Sequence, residues 1–276
     1  MRLSVITTCK NRLDHLKQSL PLMLAMTHVE VIVVDYGCEQ GTSDWVKSHH
    51  PRARVITITD DPVFHVSRAR NIGAFHAQNE LLCFVDADMF IVGDLSSWIL
   101  SNLAKNSFYV VKEGGINAAG FLLCFKSDFT SVGGYDEALR GWAPEDVDLY
   151  ERIEMVGAQR KHVPSHLFSS IQHGDDLRVF GNEVGAFKSR DHALALGALY
   201  RTVKRDLLNL TRKEPDLAFR KVIFEQINNL DQSAENNGAP TFSLVIDLGS
   251  RAIRPSSSNC TTKLSYHFTR NANAGA

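Results

Sequence analysis

Leu81-Leu82-Cys83-Phe84-Val85-Asp86-Ala87-Asp88 is the stretch on which the reading of this chain turns. The apolar run Leu81 to Val85 predicts a short buried strand that runs directly into two carboxylates. On an extended strand, residues i and i+2 share a face; a turn at the strand end instead aims both around one point. A D-x-D pair by itself is most often a solvated loop. Here a second hydrophobic segment, Met89 to Val92, follows at once, and unpaired charge between two apolar segments is costly unless something binds it. Hard oxygen ligands of this kind suit Mn²⁺ or Mg²⁺, which then holds a diphosphate.

Working outward, Leu3 to Thr8, Val29 to Val34 (ending at Asp35) and Arg54 to Ile58 read as further strands. Between them, Asn11 to Met26 carries Leu13, Leu16, Leu20 and Leu24 near helical spacing, with Asn11 as a cap and Pro21 as an expected kink. Thr42 to His50 and Ser67 to Gln78 read as helices. Strands alternating with helices predict an α/β fold around a mostly parallel sheet. Ligands bind such sheets at the carboxyl ends of the strands, where Thr7, Asp35 and Asp86 are expected. Further along, Phe108 to Val111 and Gly120 to Phe125 read as strands, Gly133 to Glu137 as a turn, and Glu145 to Val156 as a helix with Pro144 favouring its first turn.

The texture changes near Ala193. Leu194, Leu196, Leu199, Val203, Leu207, Leu208 and Leu210 suggest a helix with basic residues between them, and Leu217 to Leu230 suggests another. Asp231 to Pro240 reads as a loop. Ser256 to Ala276, rich in Ser, Thr and Asn, is expected to fray. The expected division is a catalytic domain over 1–190 and a mainly helical, partly irregular extension over 191–276. The basic, leucine-rich stretch Tyr200 to Lys213 gives that extension a route to peripheral membrane contact.

Composition narrows the function classes. The chain has 276 residues, with 30 Lys+Arg against 31 Asp+Glu, a formal net charge of -1. That balance gives no electrostatic reason for a nucleic-acid partner. With 44% hydrophobic and 22% charged residues, the composition is that of a globular protein. The five cysteines are odd in number and contain no C-x-x-C pair, which points to a reducing compartment. Arg2 and the short run Leu3 to Ile6 are too little for a signal peptide or anchor, so a cytoplasmic protein is expected, at most touching the inner face of the membrane.

Three more constellations carry chemistry. In Gly141-Trp142-Ala143-Pro144-Glu145-Asp146-Val147-Asp148-Leu149, three carboxylates crowd a helix start. Acids there are stabilised by the helix dipole for structural reasons alone. A Trp beside carboxylates is also a way to hold a sugar, ring against indole and hydroxyls on the acids, and one acid could serve as a general base. His173, beside Gly174, has the chemistry of a metal ligand, although one of eleven histidines is more often structural. Arg68, Arg70 and Asn71 lie near a helix start, where basic side chains either bind phosphate or form a solvated face.

The order of these motifs is Thr7-Thr8-Cys9-Lys10-Asn11-Arg12, Val33-Val34-Asp35, Arg68-Ala69-Arg70-Asn71-Ile72-Gly73, Phe84-Val85-Asp86-Ala87-Asp88, Gly133-Gly134-Tyr135-Asp136-Glu137, and Trp142 to Leu149. It resembles the GT-A-fold (Rossmann-like) glycosyltransferases, within them the family 2 enzymes and the galactosyltransferase-like C-terminal module of bacterial chondroitin polymerase. The resemblance covers about Arg2 to Asp176. It implies a Mn²⁺- or Mg²⁺-dependent transfer from a UDP-sugar donor to a saccharide acceptor, with inversion, in bacterial polysaccharide or glycoconjugate synthesis. It implies donor contacts from Thr7, Arg12, Asp35, Arg68, Asn71 and Asp86, metal ligation by Asp88 and His173, acceptor contacts from Trp142 and Glu145, and Asp146 as catalytic base.

Two other enzyme readings share the fold class: a retaining transferase and a nucleotidyltransferase. The second expects a Gly-rich phosphate loop after the first strand, and Thr7 to Arg12 contains no glycine. A binding module without activity is the reading from another class. It has no need of a base beside the acceptor, and Asp86, Asp88 and Asp146 together count against it.

Overall fold

The apolar runs form the expected strands. The computed structural model describes residues 2–111, 120–141, 143–171, 190–254 and 258–269. The chain divides into two compact units, Met1–Gly185 and Ala186–Ala276. In the first, β1 (Leu3–Cys9), β2 (Val29–Asp35), β3 (Arg54–Thr57) and β4 (Leu81–Phe84) lie parallel in the order β3-β2-β1-β4. After β4 in sequence come β5 (Met89–Ile91), outside that sheet, and β6 (Ser107–Val111), within it. The sheet continues from β4 through β7 (Leu122–Phe125), which is antiparallel to both β4 and β6, to β8 (Gln159–Val163), parallel to β6. This is a seven-stranded, mostly parallel α/β sheet. β5 pairs antiparallel with β9 (Phe168–Ser170) in a separate two-stranded ribbon.

Among the described residues, six α-helices belong to this unit: α1 (Leu13–Ala25), α2 (Thr42–His49), α3 (Val66–His76), α4 (Leu95–Asn102), α5 (Lys126–Ser131) and α6 (Glu145–Met155). The two-residue period of the strands sorts their side chains into two cores. Val5, Val31, Val33, Cys83 and Leu123 pack with Leu16, Leu20 and Met23 of α1 and Ile99 of α4. Ile6, Ile32, Val34, Leu82, Phe84 and Leu122 pack with Ala69 and Ala74 of α3 and Leu149 and Ile153 of α6. Each large aliphatic side chain buried this way contributes about 1.5–3 kcal/mol. Pro21, expected to kink the helix, lies inside a continuous α1. Buried Leu16, Leu20 and Met23 hold that helix against the sheet despite the missing N–H.

In the second unit, α7 (Arg190–Thr211) and α8 (Leu217–Asn236) are followed by a long antiparallel hairpin, β10 (Thr241–Arg254) and β11 (Ser258–Thr269). Two expectations are corrected here. The polar stretch from Asp231, read as a loop, continues α8 to Asn236, because Asp231 is buried against His192 at 2.8 Å and Ala234 is buried as well. The segment expected to fray forms β11 over Ser258–Thr269. Leu264, Tyr266 and Phe268 alternate with Lys263, Ser265 and His267, and pair with Ile246, Leu244 and Phe242 of β10. The Phe242 and Phe268 rings lie 5.0 Å apart.

Gly73 sets the distance of α3 from the sheet. A Cβ at this position would lie 2.4 Å from Cγ2 of Ile6 and 3.1 Å from Cγ2 of Val34. Gly73→Ala improves intrinsic helix propensity by about 1 kcal/mol but overpacks this contact. The expected net effect is a loss of about 1–3 kcal/mol, read as a lower midpoint in urea denaturation. An unchanged midpoint would show that α3 can move away from β1.

Candidate active site

Asp86-Ala87-Asp88 forms a tight turn between β4 and β5. The Met89 N–H donates to the Asp86 carbonyl at 3.0 Å. Ser19 of α1, fully buried, donates to the Ala87 carbonyl at 2.7 Å. The Ile171 N–H donates to the Asp88 carbonyl at 2.9 Å, where the chain leaves β9. The two carboxylates differ in setting: the side chain of Asp86 is 40% exposed and that of Asp88 only 7%. Arg12 reaches Asp88, with Nη1 3.3 Å from Oδ2. Gly120 covers Asp86 closely; a Cβ there would lie 2.0 Å from Asp86 Oδ2 and 2.7 Å from Arg70 Nη2.

Arg70 joins this turn to the start of α6. Its Nη2 donates to Asp86 Oδ1 at 3.0 Å, and its Nη1 to Glu145 Oε1 at 3.1 Å and Asp146 Oδ1 at 2.9 Å. The Arg70 side chain is 4% exposed and its Cζ sits 5.0 Å from the ring centroid of Tyr135. Burial opposes its charge, but Asp146, Tyr135, Asp86 and Glu145 outweigh it and hold its pKa well above the ordinary value. The sequence reading left Arg70 among phosphate-facing or solvated basic residues. The missed signal was its spacing: Arg70, Gly73, Ala74 and Ala77 share a helix face (i, i+3, i+4, i+7), and small residues there mark a buried face.

Three carboxylates thus face one guanidinium. Burial, and then the neighbouring Asp146 charge, pushes the Glu145 carboxyl upward, with Arg70 opposing. Burial raises Asp146 too; Arg70 is the largest influence in the other direction. A carboxylate raised toward neutral pH is a better proton acceptor than an ordinary aspartate. Asp148, the third acid of the motif, belongs elsewhere: it is buried and paired with Arg152 at 2.7 Å on its own helix.

The other anticipated donor residues are held as follows. Thr7 is buried within β1, 1% exposed, and its hydroxyl has no hydrogen-bond partner among the described residues. The Asp35 carboxylate accepts from the Cys38 N–H, the Ser43 N–H and the Ser43 hydroxyl, at 2.7–3.0 Å, and so ties the end of β2 to α2. Arg68 pairs with Asp60 at 2.6 Å and reaches the Tyr36 hydroxyl at 3.4 Å. The Asn71 amide is committed to the glycine turn: Nδ2 donates to the Tyr135 carbonyl and to Glu137, and Oδ1 accepts from the Tyr135 N–H. Gly134 in that turn has φ +72°, and a Cβ on it would meet Asn71 Oδ1 at 2.6 Å. Trp142 and His173 lie outside the described residues.

Asp86 and Asp88 offer hard oxygen donors, which fit Mn²⁺ or Mg²⁺ in donor chemistry. Among the described residues, no group of three His, Cys, Asp or Glu side chains is arranged to hold a metal.

Solved structures share this architecture. A mannosyltransferase from Pyrobaculum calidifontis, solved with GDP-Man and Mn²⁺, matches at a TM-score of 0.51 and 16% identity, over 85% of this chain and 75% of its own. TarS residues 1–349 of S. aureus, solved with UDP-GlcNAc, matches at 0.55 and 14%, over 86% and 75%. Residues 4–112 match the model of glycosyl transferase family 2, and residues 105–174 the model described as the N-terminal domain of galactosyltransferase. The first unit therefore resembles a family 2-type glycosyltransferase domain, on the GT-A fold that these solved structures share. Mouse chondroitin sulfate synthase 3 is 24% identical over 141 residues, which cover 40% of this chain and only 16% of that relative. Both matched segments lie within the first unit.

Gly120→Ala tests how far the site depends on the closeness of Asp86 and Arg70. The added methyl cannot be accommodated without displacing one of them. A misplacement of about 1 Å at a catalytic site costs about 100-fold in rate. Glycosyl transfer by this variant should fall by that order while its circular dichroism spectrum stays that of the parent. Full activity would show that the cluster tolerates rearrangement.

Proposed function

We propose that this chain transfers a sugar from a UDP-sugar to a saccharide acceptor with inversion at the anomeric carbon, dependent on Mn²⁺ or Mg²⁺. The observation that carries the reading is the link through Arg70 between Asp86, at the end of β4, and the Glu145–Asp146 pair at the start of α6. It joins a carboxylate suited to the donor side to a carboxylate suited to deprotonating an acceptor. The neighbours solved with GDP-Man and Mn²⁺ and with UDP-GlcNAc support a nucleotide-sugar donor. The resemblance to a chondroitin sulfate synthase supports a saccharide acceptor.

In this reading Asp146 accepts the proton of the acceptor hydroxyl. That oxygen forms the new bond to the anomeric carbon as the bond to the diphosphate breaks. Glu145 and Trp142 hold the acceptor, and Arg12, Asp35, Arg68 and Thr7 shape the donor side. Asp86, Asp88 and His173 would hold the cation, which when bound supplies Lewis-acid neutralisation of the diphosphate. Aligning the hydroxyl behind the anomeric carbon is the positioning task of the remaining residues.

The pathway we infer is assembly of a bacterial polysaccharide or glycoconjugate on the cytoplasmic side. The free thiols of Cys9, Cys38, Cys83 and Cys124 support a reducing compartment. Among the described residues, no helix is long and apolar enough to cross a membrane. The second unit is the part through which we propose peripheral membrane contact, on the strength of its basic, leucine-rich α7.

The test is turnover of a panel of nucleotide sugars, with Mn²⁺ and with EDTA, across pH. One UDP-sugar should be consumed with Mn²⁺ and none with EDTA. The active form has Asp146 ionised, so kcat should fall as pH drops through a pKa above the ordinary aspartate value of about 3.9. No turnover on any donor with Mn²⁺ would overturn the reading.

A further inference from the structure

We propose that Arg70 is a positioning residue for glycosyl transfer: it fixes Asp146 and Glu145 relative to Asp86 and does not bind the donor. The inference rests on the transfer reading above and deepens it. Nothing in the resemblance assigned Arg70 a role, and a basic residue near a helix start invites a phosphate-binding reading. The geometry points the other way.

The guanidinium is enclosed. Its side chain is 4% exposed, the Tyr135 ring covers it at 5.0 Å, and a Cβ on Gly120 would come within 2.7 Å of Nη2. Its two terminal nitrogens are divided between two segments far apart in sequence. Nη2 takes Asp86 at the end of β4, and Nη1 takes both carboxylates that open α6. A planar fork of fixed donors can do this; a lysine ammonium is a single point charge and cannot span the three oxygens in the same way.

The seat of the arginine is itself built. Asn71, its neighbour in sequence, makes two hydrogen bonds to the backbone of Tyr135 at 2.8 and 2.9 Å, and Tyr135 lies over Arg70. Gly134 leaves the room Asn71 needs, since a Cβ there would meet its Oδ1 at 2.6 Å. The order of dependence is therefore Asn71 to Tyr135, Tyr135 to Arg70, and Arg70 to Asp146. A residue that holds the base in place but touches no donor changes kcat and leaves donor affinity alone.

The experiment compares Arg70→Lys and Arg70→Ala with the parent, using the UDP-sugar that the parent turns over and UDP alone as the binding probe in calorimetry. Arg70→Lys should lower kcat by about 100-fold, with the donor KM and the UDP dissociation constant within about threefold of the parent. Free guanidinium at a non-denaturing concentration should restore part of the kcat of Arg70→Ala, which a merely structural role would not produce. Should neither Arg70 variant fold, Asn71→Asp loosens the Tyr135 seat without removing the arginine; it should lower kcat at unchanged donor KM.

Loss of UDP affinity or a raised donor KM at near-parental kcat, in either position, would assign these residues to the donor and overturn the inference. Near-parental kcat in Arg70→Lys overturns it while leaving the transfer reading intact. A parent chain that turns over no nucleotide sugar removes the transfer reading, and this inference with it.

Discussion

The single positive charge of Arg70, itself buried, has to serve three carboxylates, and much of the surrounding structure answers to that requirement. Arginine stays ionised at any accessible pH, so the charge itself is secure. What must be arranged is access for each carboxylate. The helix that carries Arg70 has to lie close against β1, which is why Gly73 faces Ile6. The chain above Asp86 has to be bare, which is why Gly120 stands there. The Tyr135 ring has to lie over the guanidinium, which a positive-φ turn through Gly133 and Gly134 and the Asn71 amide achieve. Breaking a buried pair of this kind leaves uncompensated charge and costs about 3–5 kcal/mol, so fold and site share this interaction.

The nearly neutral chain is a sum of local arrangements. Asp148 goes to Arg152, Asp88 to Arg12, and Arg68 to Asp60. At Asp86, Glu145 and Asp146 three carboxylates share the one guanidinium of Arg70. An excess of buried acid raises carboxyl pKa values, and here it raises those of Glu145 and Asp146. Such excess is also what a bound cation would relieve. The same local imbalance therefore serves the proton-accepting role proposed for Asp146 and the cation site proposed to include Asp86.

Much of the sheet could be read from the sequence, because its strands are short apolar runs that end in Asp35 and Asp86, and that pattern has few alternatives. The Asp86-Ala87-Asp88 turn and the acids at the start of α6 were legible for the same reason. Arg70 was not, since its partners lie 16, 75 and 76 residues away; an arginine in a helix is more often solvated than buried. Asn71 was assigned to the donor because its commitment to Tyr135 is likewise a long-range pairing. In the second unit, composition misled: Ser, Thr and Asn suggested fraying, while the alternation Leu264, Tyr266, Phe268 carried a strand. Asp231 looked like a loop residue because its partner His192 lies a whole helix earlier.

The measurement that tests the account most directly is a paired one on Asp146→Asn, a change that keeps shape and removes the proton acceptor. Binding of UDP with Mn²⁺ and transfer from the UDP-sugar are measured on the same preparation. The account predicts UDP binding close to that of the parent and transfer reduced at least about 100-fold, the lower range for loss of a general base. Transfer at the parental rate would contradict it, because the acceptor proton would then have another destination.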